Sequence, residues 1–378
     1  MTITSKSMTL FSRKGLELHK ALKASGKYGA QNRYPVVLQD GNITYGEGYP
    51  ITGIEKFLGY HDSATNIAYC PSISMTTDFS VAKAFCRFVK QEGADAVILD
   101  GNSDEKYKKR MSKALANFRR INDIKGSFQF YITREKRYGE AKGLGESAAV
   151  AAAVSRALIA NVFGSNAAKD SRFVSRYARF VSGSGTRSAA GGVSLWLSYP
   201  NINEEECYAE RMDVDYSKLY FFACLEKSTV ETINAHTAAL QSDFYSLWMR
   251  GKYGRIAEVI RSGITVELLE LLAENEMFRL DSILMSSGVF IHNENSMKRI
   301  SAAIKLRDEG IDIHVTADTG PTTIFMSTNN SDLKEAAAVL GCDPLYGSVK
   351  EEPGTTASKN DKTAAHEYFA EQDSLRHV

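Results

Sequence analysis

Residues 147–163 constrain the fold more than any other stretch, because they are rich in alanine and contain neither glycine nor proline. Alanine has the highest helix propensity, so this stretch predicts a helix. A strand-like run at residues 127–133 and a glycine-containing segment at residues 138–145 come before it. The chain therefore predicts the order strand, glycine-containing turn and helix.

This order of elements is suited to binding an anion, since glycines let backbone N–H groups approach phosphate oxygens and the helix dipole adds to the attraction. The candidate phosphate loop contains Gly143, Gly145, Glu146 and Ser147. A tight connection between a strand and a helix also needs glycine for steric reasons alone. A phosphate loop and a structural turn are thus both consistent with this segment.

The composition excludes several classes of function. The 378 residues include 46 lysines and arginines against 45 acidic residues, a net charge of +1, so we expect neither a nucleic-acid nor a membrane partner. No stretch approaches the roughly 18–20 uninterrupted apolar residues of a membrane span, and the N-terminus has no apolar signal core, which favours the cytoplasm. Five scattered cysteines without a CxxC pair make a disulfide framework unexpected, and the seven histidines show no zinc-binding spacing.

Length and local composition suggest two domains with additional terminal segments. The best boundary is the Tyr-Pro-Asn turn at residues 199–201, which divides an N-terminal domain (31–198) from a C-terminal domain (199–346). Residues 1–30 are polar and rich in lysine, which indicates an N-terminal extension. Residues 347–378 contain few bulky apolar side chains, which indicates a loose polar tail. The predicted strands include 34–38, 67–77, 96–99, 219–225, 311–315 and 322–326, and the predicted helices include 106–122, 244–261, 266–286 and 295–309.

Two further segments carry groups suited to chemistry. Residues 182–187 combine Ser182, Gly183, Ser184 and Arg187, which offer backbone donors and a guanidinium fork for a carboxylate or a phosphate. A flexible linker is the alternative interpretation. Asp318 lies at the end of a predicted strand, just before a Gly-Pro turn that would fix its carboxylate, although an aspartate in a turn is usually structural.

Taken in order, these segments resemble the diphosphomevalonate decarboxylase branch of the GHMP kinase superfamily. Residues 54–62 are similar to the family's Lys-Tyr-Trp-Gly-Lys-Arg-Asp segment, with Lys56 on its first lysine, and residues 71–76 to the serine-rich strand that follows. Residues 143–149 are similar to the superfamily phosphate loop. Residues 182–188 and 318–321 are similar to the family's Gly-Ser-Gly-Ser-x-x-Arg-Ser and Asp-Ala-Gly-Pro segments.

This resemblance implies a fold, a site and an assembly. The fold would be α+β, a GHMP-kinase-like two-domain fold with the active-site cleft between the domains, often as a homodimer. Asp318 falls on the catalytic aspartate and Arg187 on the arginine that holds the substrate C1 carboxylate. Lys56, Ser182 and Gly183, with Ser184 in the same segment, fall on positions that contact the phosphorylated mevalonate substrate.

The sequence departs from the family pattern at the phosphate loop, where Glu146 replaces a small hydroxyl residue, and at Tyr60, which replaces the second lysine of the first motif. A carboxylate beside a triphosphate is electrostatically unfavourable unless a metal bridges them. A retained Asp318 and Arg187 together with an altered phosphate loop resemble the sequences of one group within the family, which acts on mevalonate 3,5-bisphosphate in the Thermoplasma-type archaeal pathway. That group needs no nucleotide, so we expect no cofactor.

Three alternatives remain at the level of sequence. The first is an ATP-dependent diphosphomevalonate or phosphomevalonate decarboxylase, in which Glu146 is a ligand of Mg-ATP. The second is a mevalonate kinase without decarboxylation, against which the retained Asp318 and Arg187 argue. The third is a non-catalytic sensor that keeps ligand binding on the GHMP fold.

Overall fold

Helices and strands follow one another throughout the part of the chain that the computed structural model describes, which comprises residues 3–139, 144–227 and 232–376. The helices are α1 (Ser5–Ala24), α2 (Glu105–Asn122), α3 (Glu146–Phe163), α4 (Ser165–Lys169), α5 (Ser171–Val181), α6 (Gly185–Ala190), α7 (Thr232–Ala239), α8 (Tyr245–Ser262), α9 (Val266–Met285), α10 (Glu294–Asp308), α11 (Asn330–Val339) and α12 (Lys359–Arg376). The strands are β1 (Ile43–Gly48), β2 (Ile51–Glu55), β3 (Tyr60–Asp62), β4 (Ile67–Ala68), β5 (Ser72–Thr76), β6 (Ser80–Val89), β7 (Ala96–Leu99), β8 (Ser127–Lys136), β9 (Val193–Trp196), β10 (Ala209–Arg211), β11 (Tyr220–Cys224), β12 (His314–Ala317), β13 (Thr323–Ser327) and β14 (Pro344–Gly347). The predicted α+β class is confirmed.

Three four-stranded sheets form the framework. Their strand orders are β1-β6-β8-β7, β10-β9-β5-β2 and β12-β13-β11-β14. The pairs within them are antiparallel, except for the parallel pair of β7 and β8. Strands β2 and β12, which lie in different sheets, each lead directly into one of the predicted site residues, Lys56 and Asp318.

Helix α3 lies against the first sheet at unusually short range, and this explains its alanine content. A Cβ atom added at Gly46 or Gly48 of β1 would come within 2.5 Å of a backbone carbonyl of α3, so only glycine permits the approach. Small side chains are needed on the helix for the same reason. Among the described residues, α3 is also the helix with the length and hydropathy of a membrane span, but 83% of that stretch is buried inside the protein.

Helix α9 joins the two halves of the molecule, because it contacts both β2 and β12. Its buried apolar residues recur at helical spacing, as expected for a helix that turns one face to the core. They include Leu269, Ala273, Met277, Leu280 and Leu284. The side chains that reach β2 and β12 are therefore carried on one rigid element.

Both chain termini are more ordered than the sequence predicted, and the predictions of a separate extension and a loose tail are wrong. Helix α1 is amphipathic, and its Phe11, which is fully buried, stacks on Tyr253 of α8 at 5.9 Å between ring centroids. Helix α12 packs on β8 and buries Phe369, while Arg87 of β6 forms two hydrogen bonds with the Asp373 carboxylate at 2.7 and 2.8 Å. A few apolar residues at helical spacing are enough to dock each polar helix.

Three local predictions also need correction. Residues 34–38, predicted as a strand, form no regular element, and residues 185–190 form helix α6, which contradicts the flexible-linker interpretation of that segment. A disulfide joins Cys224 to Cys342, although no disulfide framework was expected. These cysteines are 118 positions apart in the chain, and the pairing of β11 with β14 brings their Cα atoms to 5.8 Å. Sequence spacing gives no indication of that proximity.

Candidate active site

Lys56 follows the last residue of β2 and is buried, with 6% of its surface exposed. Its Nζ donates a hydrogen bond of 2.9 Å to Oγ1 of Thr316 in β12, a residue 260 positions further along the chain. The Thr316 hydroxyl in turn donates to the carbonyl oxygen of Ala273 in α9, at 3.2 Å. Burial lowers the pKa of the Lys56 ammonium, and the charge of Asp318 offsets part of that effect. The lysine is thus held at the junction of β2, β12 and α9.

Asp318 comes directly after β12 and reaches the same junction. Its carboxylate accepts a hydrogen bond from the backbone N–H of Gly53, and a Cβ atom at Gly53 would lie only 3.0 Å from Oδ1. Burial raises the pKa of this carboxyl group, whereas the charges of Lys56 and Arg187 lower it in part. Glycine at position 53 leaves the space that the carboxylate and the Lys56 side chain occupy.

Arg187, in α6, supplies a second buried cation whose charge acts on Asp318. Its Nη1 donates to the hydroxyl of Ser72, and its guanidinium carbon lies 5.0 Å from the Phe57 ring centroid and 5.5 Å from that of Trp196. Burial lowers the pKa of this arginine to about 10, so it stays charged at neutral pH. Its Nε has no hydrogen-bond partner within the described ranges, which leaves a buried donor for an anionic ligand.

The serine and glycine residues at 182–184 lie beside the aromatic residues around Arg187. The hydroxyls of Ser182 and Ser184 lie 2.8 Å apart. A Cβ atom at Gly183 would be 3.0 Å from both the Tyr60 hydroxyl and the Trp196 ring, so this backbone passes directly over the aromatic residues around Arg187. The segment therefore presents small polar groups beside the guanidinium.

Tyr60, which stands where the family motif has its second lysine, is part of an aromatic wall. Its ring stacks on His236 of α7, with centroids 5.3 Å apart and planes at 13°. The backbone N–H of Gly59 donates to Nδ1 of His236 at 2.9 Å, and burial, with a smaller contribution from Arg187, lowers the pKa of this histidine to about 4. A neutral imidazole adds no second positive charge at this position.

A buried cluster of four charges holds Lys56 in place. Lys252 of α8 donates to the carboxylates of Glu55 and Glu276 and to the backbone carbonyl of Lys56. Arg255 binds the same two carboxylates, at 2.6 Å to Glu55 and 2.9 Å to Glu276. These two cations balance the two carboxylates, with Arg279 a further 3.9 Å from Glu276, so the cluster fixes the end of β2 against α8 and α9.

The phosphate-loop residues have a different environment. Glu146, in the first turn of α3, forms ion pairs with Arg134 at 2.8 Å and Lys136 at 3.0 Å, and it accepts a hydrogen bond from Tyr138. Gly145 has φ = 73°, and a Cβ atom there would lie 2.3 Å from the carbonyl oxygen of Ile51, which favours the steric interpretation of this glycine. Ser147 is exposed, and Gly143 lies outside the described residues.

Comparison with known proteins agrees with this geometry. Residues 49–209 match the model of the diphosphomevalonate decarboxylase-like N-terminal domain. The chain is 43% identical over 359 residues to the mevalonate 3,5-bisphosphate decarboxylase of Thermoplasma acidophilum, covering 95% of this chain and 89% of that protein. The chain belongs to the diphosphomevalonate decarboxylase family. The Thermoplasma volcanium protein of the same name is also 43% identical, over 96% of this chain and 97% of its own length.

Solved structures confirm the fold of this diphosphomevalonate decarboxylase family member. The mevalonate diphosphate decarboxylase of Enterococcus faecalis, described with its ATP binding mechanism, superimposes with a TM-score of 0.70 at 20% identity and covers 83% of this chain and 100% of its own. The Staphylococcus aureus enzyme gives a TM-score of 0.69 at 20% identity, covering 82% and 96%. The GHMP-kinase-like fold predicted from the motifs is thereby confirmed.

The structure of this family member brings Lys56, Asp318 and Arg187 close enough for the charge of each of the two cations to act on Asp318. Glu146 binds residues of β8 and the following turn and makes no hydrogen bond or ion pair with those three among the described contacts. The catalytic and substrate-binding roles of the predicted residues remain predictions.

Sequence reasoning missed several residues that shape this site. Gly53 and Thr316 contact the charged residues through small groups, and such residue types carry no motif of their own. Ser72 lies in the serine-rich strand that the motifs identified, but the sequence gave it no role. Phe57 lies within the recognised motif, and its position next to Lys56 in the sequence could have indicated that it lies at the site. His236 had no sequence indication, because only the fold brings α7 against Tyr60.

Proposed function

We propose that this protein is a lyase that decarboxylates mevalonate 3,5-bisphosphate without ATP, giving isopentenyl phosphate, CO₂ and phosphate. The observation that carries the proposal is the combination of the buried Lys56 and Arg187 and the partly buried Asp318 with a phosphate loop whose own carboxylate, Glu146, is already paired with two cations. Relatives with the name of this activity are 43% identical over nearly the whole chain.

Glu146 is the reason to propose a reaction without nucleotide. Its carboxylate lies at the N-terminal turn of α3, where a phosphate would gain most from the helix dipole, and it binds Arg134 and Lys136. By itself, that carboxylate would repel a phosphate oxygen about 4 Å away by about 4 kcal/mol at an effective dielectric constant near 20, and it engages the two cations that could otherwise bind the phosphate. The protein's own anion therefore competes with ATP for this position.

The proposed reaction is an elimination in which every bond is accounted for. The C3–O bond to the 3-phosphate breaks, and its electron pair leaves on the phosphate oxygen. The C1–C2 bond then breaks, its electron pair forms the C2=C3 double bond, and C1 leaves as CO₂. The catalytic requirement is to stabilise positive charge that develops at C3 together with negative charge on the departing phosphate.

The proposed roles follow from the charges and contacts of the site. Asp318 offsets the positive charge at C3. Arg187 orients the C1 carboxylate through its free Nε donor and its positive charge. Lys56 stabilises the departing phosphate, and Ser182 to Ser184 contribute hydroxyl and backbone donors to a substrate phosphate. Burial strengthens each of these interactions, because little water screens them.

The test is a CO₂-release assay on C1-labelled mevalonate 3,5-bisphosphate, with and without Mg-ATP. We expect equal rates of CO₂ and phosphate release in both conditions. The ATP-dependent alternative, which matches the ATP binding mechanism described for the Enterococcus enzyme, predicts release only from a 3-hydroxy substrate with Mg-ATP. A phosphorylated product without CO₂ would instead indicate a kinase, and ligand binding without turnover would indicate a sensor.

We further propose the division into domains 31–198 and 199–346 with the active-site cleft between them, and a cytoplasmic location. A substrate with two phosphates and a carboxylate does not cross a membrane unaided, which supports the location.

A homodimer is supported by Leu271, Phe278 and Met285, which recur every seven residues on α9 and are 39–51% exposed. Light scattering of the purified protein tests the dimer, and a monomer at all concentrations would exclude it.

A further inference from the structure

A second group of ionisable side chains lies apart from the reacting residues, where the N-terminal half of α9 meets the start of β12. Glu270 of α9, Asp312 and His314 each place one potential ligand atom within 4.8 Å of those of the other two. Glu270 and His314 are buried, with 1% and 9% of their surfaces exposed. Two buried side chains and the partly exposed Asp312 thus bring two carboxylates and one imidazole together.

One carboxylate oxygen of Glu270, Oε1, is buried without a hydrogen-bond partner among the described residues. Burial raises the pKa of this carboxyl group to about 8, and the nearby charges of Asp312 and Glu267 add to the effect. A buried carboxylate without a partner is costly, and a bound cation is one of the few ways to offset that cost.

His314 is oriented as metal-binding histidines are. Its Nδ1 lies 3.2 Å from Oε2 of Glu274, and Arg307, which is also 3.3 Å from Nδ1, pairs with that same carboxylate oxygen. The Glu274 carboxylate favours a proton on Nδ1, whereas the Arg307 guanidinium, which can only donate, favours a lone pair there. In the tautomer with the proton on Nδ1, the Nε2 lone pair is free to bind a metal. Nε2 is directed at Asp312, whose Oδ1 lies 3.6 Å away.

Asp312 is held by its other oxygen. Oδ2 accepts hydrogen bonds from the hydroxyls of Ser327, at 3.3 Å, and Thr328, at 3.0 Å. Its Oδ1 is therefore the atom that faces His314. In a tetrahedral site with metal–ligand bonds of about 2.1 Å, neighbouring ligand atoms lie about 3.4 Å apart. The distance of 3.6 Å between Nε2 and Oδ1 is close to that value.

We propose that Glu270, Asp312 and His314 bind a divalent transition-metal cation of the zinc type, in a site distinct from the reaction centre. One imidazole nitrogen and two carboxylate oxygens are ligands that Zn²⁺ accepts. The bound ion would fasten α9 to β12, the strand that carries Thr316 and leads to Asp318. Its function would be to support the site, since none of the three ligands is assigned a role in the elimination.

The experiment is a calorimetric titration of ZnCl₂ into full-length protein that has been treated with a chelator and dialysed. We expect one zinc ion per chain, and an affinity at least about tenfold weaker in Glu270→Gln and in His314→Ala. His292→Ala is the matched control, because His292 also pairs with a carboxylate, Asp281 at 3.0 Å, but lies outside the cluster. The control should bind zinc like the unaltered protein.

Thermal unfolding provides a readout that does not depend on activity. Zinc should raise the Tm of the unaltered protein and of His292→Ala but leave that of Glu270→Gln unchanged. Glutamine has the shape of glutamate without its charge, so Glu270→Gln should fold even if His314→Ala does not. Without metal, Glu270→Gln should be at least as stable as the unaltered protein, because it buries no charge at that position. Equal zinc affinity in Glu270→Gln, or binding below one ion per ten chains, would overturn the proposal.

Discussion

Replacing Asp318 with asparagine is the sharpest test of the proposed reaction, because it removes one charge and leaves the shape of the side chain. The carboxylate is partly buried and interacts with the charges of Lys56 and Arg187. If it lies about 4 Å from the positive charge that develops at C3, the attraction is worth about 4 kcal/mol at an effective dielectric constant near 20. At 1.36 kcal/mol per factor of ten, kcat should fall about a thousandfold.

Substrate affinity should change much less, since the positive charge at C3 exists only in the transition state. The assay is steady-state CO₂ release from mevalonate 3,5-bisphosphate over a range of substrate concentrations, with a urea titration to confirm the fold. Asp308→Asn, at the exposed end of α10, is the control and should leave both kcat and KM unchanged. A loss confined to KM, or a fall in kcat of less than about tenfold, would refute the role given to Asp318.

The remaining predictions concern the cations around Asp318. Arg187→Lys should lower kcat/KM by at least about a hundredfold, because a point charge cannot replace the planar fork, and near-normal kinetics would remove Arg187 from the site. Lys252→Met should lower the free energy of unfolding by about 3–5 kcal/mol in urea, since two buried carboxylates lose a partner, whereas Lys298→Met in an exposed ion pair should change it by less than about 1 kcal/mol. The pH range over which the enzyme is active should be narrow. Because the pKa of Asp318 is raised, its carboxylate should become protonated, as pH falls, above the usual carboxyl range. Because the pKa of Lys56 is lowered, its ammonium should lose its proton, as pH rises, below the usual lysine range. If kcat/KM instead falls at pH values that match the ordinary pKa of an aspartate and of a lysine, that assignment is contradicted.

The family and its core fold could be recognised from short motifs in the sequence. Each motif combines a turn residue with a chemical group, such as Lys56 after a strand or Asp318 before a Gly-Pro turn, so local order and chemistry coincide. The long helices α8 and α9 were also predicted to within two residues, because their apolar residues recur at helical spacing.

The terminal helices and the disulfide could not be predicted in the same way. Helices α1 and α12 are polar over most of their surface, and what fixes them is a small apolar contact with an element far away in the chain. Such contacts leave no local pattern. The proximity of Cys224 and Cys342 likewise depends on the pairing of β11 with β14.

By itself, the sequence determined the family, the α+β class and the charged residues available for chemistry, because these depend on residue type and short spacing. Only the tertiary structure decided which charges act on one another. It placed Lys56 against Thr316 and Gly53 against Asp318, and it paired Glu146 with Arg134 and Lys136. Electrostatic interactions depend on distance and burial, and neither can be obtained from the order of residues.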